Sequence, residues 1–249
     1  MHAPDGVAAC FPLVPYANRI AGGRLPGEAP LAPYPGEVHS LHGVGWRRAW
    51  RVIERESHYA VLGLQHRADQ DWPFDLDATL TIVLGDASLK QTLCVTNTGT
   101  RAMPLGMGFH PFFPAAPGQG TTLGANWSGR WGVTPDHLPV GLAPQAVVPG
   151  PVDVGPWQVN NCHTGWDGRA VLAYPQHTLV MTADPLCRFL QCYRPAADSA
   201  FVAIEPVTHV PNAHQLRAAG VADTGLIDLA PGAVRSISMT MQVLRHVDG

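Results

Sequence analysis

The chain has 249 residues, of which 14% are charged and 46% are hydrophobic, and its formal net charge is −3. This composition is typical of a folded globular protein and excludes a disordered one. The small net charge and the absence of a basic block argue against a nucleic-acid partner, and no apolar run approaches the length of a membrane span. We therefore expect one soluble domain that covers residues 1–249.

Cysteine and lysine usage narrows the chemistry further. The five cysteines are odd in number and include no CxxC pair, so neither a disulfide framework nor a zinc site is expected. The N-terminus lacks the basic and apolar regions of a signal peptide, which favours a reducing, cytoplasmic location. The single lysine, Lys90, leaves no phosphate-binding GxxxxGK loop and argues against a Schiff-base mechanism.

The first candidate site residues lie near the N-terminus. Asn18 and Arg19 stand side by side before a glycine pair. A planar guanidinium beside a carboxamide suits several oxygen atoms of a polar ligand, although an arginine paired with a surface carboxylate is the alternative interpretation. Further along, His42 and Trp46 lie in a glycine-containing segment that reads as a loop. Imidazole and indole rings of this kind suit a sugar ligand.

The rest of the chain predicts strands and turns. Runs 78–84 and 89–96 alternate apolar and polar residues, and turn-forming residues separate them, as in a hairpin. Glycine and proline occur 26 and 24 times and punctuate the chain at short intervals. The predicted strands are 59–64, 78–84, 89–96, 170–174, 178–183, 189–193, 201–204 and 236–244, with short helical turns near 212–219. We therefore predict an all-β fold, a large twisted β-sandwich.

The stretch 96–113 carries the first candidate catalytic residue. It passes through a polar turn at 97–101 into a glycine-rich apolar run that contains His110. Gly106 and Gly108 have no side chains and allow another chain segment or a ligand to approach closely, which would leave room for a sugar ring. A histidine held among apolar residues suits general acid–base catalysis, and a core histidine with a satisfied hydrogen bond is the alternative.

A second candidate catalytic residue lies at the end of the predicted strand 201–204. Glu205 ends this strand and Pro206 comes directly after it. A carboxylate at the end of a buried strand is costly unless it is paired or functional, and a salt bridge to an arginine is the alternative. His110 and Glu205 would together form an acid–base couple, because one group gives a proton while the other takes one.

Five short motifs, in chain order, resemble the aldose 1-epimerase (galactose mutarotase) family. They are PYANRI at 15–20, LHG at 41–43, GFHPFF at 108–113, IEP at 204–206 and PNA at 211–213. The resemblance extends from about Cys10 to Leu244. It implies a β-supersandwich fold, a sugar-binding cleft and no metal or organic cofactor, with a small-molecule sugar as partner and a monomer or homodimer as the assembly.

The same resemblance implies catalytic roles for two residues. Glu205 would be the general base that takes the proton of the anomeric C1 hydroxyl. His110 would be the general acid that protonates the ring oxygen. The ring would open to the free aldehyde, the C1–C2 bond would rotate, and the ring would close on the other face with the roles reversed.

Five residues form the substrate-binding set that we predict. Arg19 and His42 match family positions that hold sugar hydroxyls and the ring oxygen, and Asn18 and Trp166 are further expected contacts. Asn160 stands where many relatives carry an aspartate, which changes the hydrogen-bonding character of the position because an amide both donates and accepts. The chain also starts closer to the Asn-Arg motif than is usual, so the opening strands of the family are expected to be missing.

Two alternatives stay open at this point. A hexose 6-phosphate mutarotase would need two or more cations that converge on the phosphate. The arginines available for such a site are Arg24, Arg47, Arg48 and Arg101. A carbohydrate-binding or regulatory protein on the same fold would be expected to lack His110 or Glu205, and this chain contains both.

Overall fold

The computed structural model describes residues 9–144 and 151–246. These residues form strands β1 to β20, one 3-10 turn and one short helix. The strands are β1 (Cys10–Leu13), β2 (Arg19–Ile20), β3 (Ser40–Leu41), β4 (Arg51–Arg55), β5 (Tyr59–His66), β6 (Leu76–Gly85), β7 (Ser88–Asn97), β8 (Met103–Leu105), β9 (Gly108–Pro114), β10 (Thr122–Ala125), β11 (Gly129–Val133), β12 (Pro139–Pro144), β13 (Val152–Asp153), β14 (Val159–Thr164), β15 (Arg169–Ala173), β16 (His177–Ala183), β17 (Phe189–Arg194), β18 (Phe201–Val207), β19 (Ile227–Leu229) and β20 (Val234–Arg245). The 3-10 turn is Ala21–Gly23, and helix α1 is Ala213–Ala218.

Two large antiparallel sheets contain most of these strands. One sheet has seven strands in the order β1-β9-β18-β17-β14-β11-β12. The other has nine, in the order β13-β10-β15-β16-β20-β7-β6-β5-β4. Apolar side chains from both sheets meet in one buried cluster, which includes Leu190 and Ile204 from the first sheet and Leu93 and Ile237 from the second. The predicted all-β sandwich is confirmed.

The predicted strands agree with the observed ones to within a few residues. The hairpin of 78–84 and 89–96 is β6 and β7, which pair from Leu76 opposite Asn97 to Gly85 opposite Ser88. The prediction for 201–204 was wrong about the end of the strand. Strand β18 continues to Val207, so Glu205 lies within a paired strand and not at its terminus.

The expectation that the opening strands of the family are missing concerns the N-terminus. Residues 1–8 lie outside those that the structure describes. Among the described residues, no helix combines the length and the apolar character that a membrane crossing requires.

The two glycines before His110 face protein atoms, so the room they provide is not for a ligand. A Cβ atom added at Gly106 would overlap the imidazole of His209. One added at Gly108 would lie 2.7 Å from a methyl group of Val207 and 2.9 Å from the carbonyl oxygen of Pro206. Both glycines therefore permit neighbouring chain segments to pack closely, and the expectation that they admit a sugar ring was wrong.

Gly106→Ala is therefore expected to destabilise the protein by about 1–3 kcal/mol, the usual cost of overpacking a core. The added methyl group would displace His209, whose Nε2 accepts a hydrogen bond from the Ala17 amide at 3.0 Å and whose Nδ1 lies 2.7 Å from the carbonyl oxygen of Val210. Urea unfolding measures the effect. Gly124→Ala is the matched control, because the nearest atom to its added Cβ outside the adjacent residues would be the Val171 oxygen, at 4.0 Å.

Candidate active site

The two candidate catalytic residues lie side by side on adjacent strands of the seven-stranded sheet. Ala203 of β18 lies opposite Phe112 of β9. The same antiparallel register places Glu205 opposite His110, although these residues are almost a hundred positions apart in the chain. Residues directly opposite each other in a sheet project to the same face, so the fold alone brings the imidazole and the carboxyl together.

A local break in the ladder accompanies this pair. Strands β9 and β18 pair from Phe201 to Ala203 and again at Val207. Pro111 and Pro206 follow the two candidate residues, and neither proline has an amide hydrogen to contribute to the ladder. The prolines therefore stand where the pairing between β9 and β18 is interrupted, next to the two chemical groups.

The His110–Glu205 pair is close and almost completely buried. Nε2 of His110 lies 3.3 Å from Oε1 of Glu205. The two residues are 5% and 1% exposed. The His110 ring packs against the rings of Phe11 and Phe112, with both centroid distances at 4.5 Å. Among the described residues, His110 Nδ1 and Glu205 Oε2 are buried without a hydrogen-bond partner. Such unpaired polar atoms are unusual in an inert core.

Burial shifts the two pKa values in opposite directions. Desolvation raises the pKa of Glu205 well above its usual value, and the positive charge of Arg19 opposes that rise. Desolvation lowers the pKa of His110 to about 3. Both shifts disfavour charge, so burial favours a neutral imidazole and a protonated carboxyl over the ion pair. Because the two groups are in contact, the proton count belongs to the pair and not to either residue alone.

Asn18 and His42 hold each other through backbone and ring hydrogen bonds. Both residues have a positive φ, 59° and 57°. The amide of Asn18 donates to Nδ1 of His42 at 3.0 Å, and the amide of His42 donates to the carbonyl oxygen of Asn18 at 2.9 Å. An amide can only donate, so Nδ1 of His42 is unprotonated and the neutral ring carries its hydrogen on Nε2. Burial lowers the pKa of His42 well below its usual value, which keeps the ring neutral.

Arg19 is held by a carboxylate that sequence reasoning did not single out. Its Nη2 donates to Oε1 of Glu37 at 2.8 Å, and its Nε donates to Oε2 at 3.2 Å. The side chains are 11% and 30% exposed. The alternative interpretation of Arg19, a pairing with a carboxylate, is therefore correct as far as the contact goes. The pair lies within the wall of the pocket, however, and not on an outlying surface.

Asn160 lies close to the His110–Glu205 pair, whereas Trp166 does not. Oδ1 of Asn160 accepts a hydrogen bond from Nε2 of Gln191 at 2.9 Å, and Gln191 lies directly opposite Glu205 in the sheet. Trp166 is 4% exposed and belongs to the apolar core, where its indole nitrogen donates to the carbonyl oxygen of Arg169. The structure therefore does not bring Trp166 together with the other predicted site residues.

One cavity of about 300 Å³ joins six of the seven predicted site residues. This volume lies at the lower end of the range for small-molecule pockets. The lining residues are Asn18, Arg19, Glu37, Leu41, His42, His110, His137, Asn160, Tyr193 and Glu205. Leu41, Glu37, His137 and Tyr193 were not predicted. Tyr193 lies two residues after Gln191 on a predicted strand and so shares its face, but the sequence does not say which face carries the pocket.

The four arginines considered for a phosphate site do not line this pocket. Arg47 and Arg48 pair with Asp71, Arg48 also pairs with Asp69, and Arg101 pairs with Glu28. Among the described lining residues, Arg19 is the one arginine or lysine.

Fold and site together define a class of protein: an antiparallel two-sheet β protein with a buried histidine–glutamate pair in a polar pocket of small-molecule size. Comparison with known proteins gives the family. The family model described as aldose 1-epimerase matches residues 2–242. The chain belongs to the aldose 1-epimerase family.

Individual relatives agree with this assignment. YphB of Escherichia coli strain K12 is 33% identical over 256 residues, which cover 95% of this chain and 84% of YphB. The crystal structure of a candidate aldose 1-epimerase from the same strain superposes with a TM-score of 0.86 at 27% identity, covering 96% of this chain and 84% of that one. A galactose mutarotase-like protein from Clostridium acetobutylicum shares the fold, with a TM-score of 0.77 at 17% identity over 96% and 79% of the two chains.

Proposed function

We propose that the protein is an aldose 1-epimerase that interconverts the α and β anomers of a free aldohexose such as glucose or galactose. The observation that carries the proposal is the 3.3 Å contact between His110 and Glu205 in a pocket of about 300 Å³. An acid and a base held this close can act on two oxygen atoms attached to one carbon. In a cyclic hemiacetal those atoms are the C1 hydroxyl and the ring oxygen.

The reaction then needs two proton transfers and one bond cleavage. Ionised Glu205 takes the proton of the C1 hydroxyl while the bond between C1 and the ring oxygen breaks and the C1 carbonyl forms. Protonated His110 gives its proton to the departing ring oxygen. Rotation about the C1–C2 bond presents the other carbonyl face, and the reverse transfers close the ring. Protons are conserved over the cycle, so the enzyme returns to its starting state.

The burial of the pair favours the ring-opened stage. After the two transfers, Glu205 is protonated and His110 is neutral, which is the protonation state that desolvation stabilises. The ionised form must be reached for each ring opening, and the positive charge of Arg19 lowers the pKa of Glu205 toward it. Arg19 therefore serves the reaction electrostatically and as a hydrogen-bond donor.

The remaining lining groups suit the hydroxyls of a sugar. The neutral ring of His42 has its Nε2 hydrogen available because Nδ1 is occupied by the Asn18 amide. Asn160 offers amide hydrogens because its oxygen already accepts from Gln191. Together with the guanidinium of Arg19 and the hydroxyl of Tyr193, these groups provide several donors within one pocket.

Polarimetry tests the proposal directly. We expect the purified protein to speed the equilibration of α-glucose or α-galactose well beyond the rate in buffer alone, in proportion to protein concentration. Binding of these sugars by calorimetry without any acceleration would contradict the proposal and favour a carbohydrate-binding role instead. Parallel assays with glucose 6-phosphate separate a free-sugar mutarotase from one that acts on phosphorylated hexoses.

A further inference from the structure

The Arg19–Glu37 pair places two opposite charges in contact in the wall of the pocket. Nη2 and Nε of Arg19 donate to the two oxygens of the Glu37 carboxylate, at 2.8 and 3.2 Å respectively. Hydrogen bonding to Arg19 lowers the pKa of Glu37, so the carboxylate is ionised at neutral pH. A two-point contact of this kind both orients the guanidinium and balances its charge.

Among the described lining residues, no second arginine or lysine replaces the charge that Glu37 balances. His42 and His110 have lowered pKa values because they are buried, and both are neutral at pH 7. His137 is the remaining basic group of the lining and is exposed. A phosphate needs two or more cations that converge on it, and this wall of the pocket instead places a half-buried carboxylate beside its one arginine.

We propose that Glu37 is a specificity-determining residue that makes the site select neutral sugars against sugar phosphates. It does so by balancing the charge of Arg19, which leaves this wall of the pocket without the net positive charge that a phosphate requires. This inference rests on the proposed mutarotase function and adds a residue and a selection rule to it. Across a pocket of this size, one carboxylate is expected to disfavour a phosphorylated ligand by about tenfold or more.

Three variants separate charge from geometry. Glu37→Gln removes the negative charge and keeps an oxygen that can accept from Arg19. Glu37→Asp keeps the charge on a shorter side chain. Asp228→Asn is the control, because Asp228 pairs with Arg217 outside the pocket and its replacement changes net charge by the same amount. The probes are glucose and glucose 6-phosphate, and the quantity measured is the ratio of their kcat/KM values by polarimetry.

We expect the ratio to favour glucose in the wild type, to fall about tenfold in Glu37→Gln, and to stay near the wild-type value in Glu37→Asp and Asp228→Asn. Added salt should lower the ratio of kcat/KM for glucose to that for glucose 6-phosphate. The decrease should be larger in the wild type than in Glu37→Gln, because salt screens the partly exposed carboxylate. A ratio in Glu37→Gln within twofold of the wild type would overturn the inference, and so would a fall of equal size in Asp228→Asn.

A calorimetric arm separates this inference from the proposed function. If the wild type turns over neither sugar, the mutarotase proposal fails, and the same ratio is measured from dissociation constants. A tenfold narrowing of the affinity ratio in Glu37→Gln then supports charge selection, and an unchanged ratio overturns it. Absence of binding by both sugars overturns both proposals. Normal turnover with an unchanged ratio overturns the inference alone.

Discussion

Glu205→Gln is expected to lower the rate of anomer exchange by about 10²–10⁴-fold, the usual contribution of a positioned acid–base group. The amide has the shape of the carboxyl but cannot take the proton of a C1 hydroxyl. Polarimetry with α-glucose measures the loss. Glu54→Gln, on the exposed edge strand β4, is the matched control and should retain full activity. Full activity in Glu205→Gln would contradict the mechanism.

The same substitution is expected to leave the free energy of unfolding unchanged or to increase it. A carboxyl whose folded-state pKa is raised contributes stability at low pH and loses it as pH rises through that pKa. Glutamine removes this loss, so the stability advantage of Glu205→Gln should grow from acidic to alkaline pH. Urea unfolding at two pH values tests this, and a variant that is both inactive and unstable would point to a structural role for Glu205.

His110→Asn should resemble Glu205→Gln in activity, since each removes one end of the same proton exchange. Residues that act as a unit show strongly non-additive losses. We therefore expect the double variant to be little slower than the slower single variant. A double variant whose loss equals the product of the two single losses would indicate that the residues act independently.

Acid should unfold this protein steeply between about pH 6.5 and pH 4. Among the residues that the structure describes, five buried histidines have lowered pKa values, with burial as the largest cause in each: His42, His110, His163, His209 and His214. A lowered folded-state pKa means that stability is fully present above the unfolded pKa, about 6.5, and is lost as pH falls below it.

The free energy of unfolding is expected to change steeply with pH. Each such histidine contributes up to about 1.4 kcal/mol per pH unit, and the raised pKa of Glu205 opposes one of them. The net change in the free energy of unfolding near pH 5 is therefore expected to be several kcal/mol per pH unit, which is a large fraction of the stability of an ordinary domain. Urea unfolding at pH 7.5, 6.5 and 5.5 measures it, and a flat profile over this range would contradict the assignment of neutral, buried rings.

A pair of histidine variants locates the effect. His163→Gln removes a buried imidazole whose pKa is lowered to about 4 and should reduce the slope by about 1.4 kcal/mol per pH unit. His58→Gln replaces an exposed histidine and should leave the slope unchanged. Equal slopes in the two variants would indicate that the acid sensitivity comes from groups other than the buried rings.

The positions of the strands could be predicted from the sequence because alternating apolar residues and turn residues are local signals. The alternating runs that became β6 and β7 could be placed to within three residues, since Leu93 and Val95 point to the core and turn residues separate the strands. The extension of β18 through Glu205 to Val207 was missed because a proline normally argues against a continuing strand. Here the strand tolerates Pro206 at a break in its pairing with β9.

The residues that line the pocket were harder to predict from the sequence than the strands. Glu37 precedes a predicted site loop by only a few residues but belongs to no motif, and its role depends on contact with Arg19 across a different segment. Trp166 shows the converse: an aromatic residue in a turn is a reasonable sugar platform, yet its indole is buried in the core. Whether a side chain faces ligand or core depends on neighbours that a single segment does not contain.

The sequence by itself therefore determined the all-β architecture and the hairpin of β6 and β7, because both depend on local pattern. It also singled out His110 and Glu205 as candidate titratable groups. Only the tertiary structure decided that His110 and Glu205 lie 3.3 Å apart, that Arg19 is balanced by Glu37, and that Gly106 and Gly108 admit protein and not ligand. These facts depend on strand order and register in the seven-stranded sheet. Register joins residues that are distant in the chain, and no local signal specifies it.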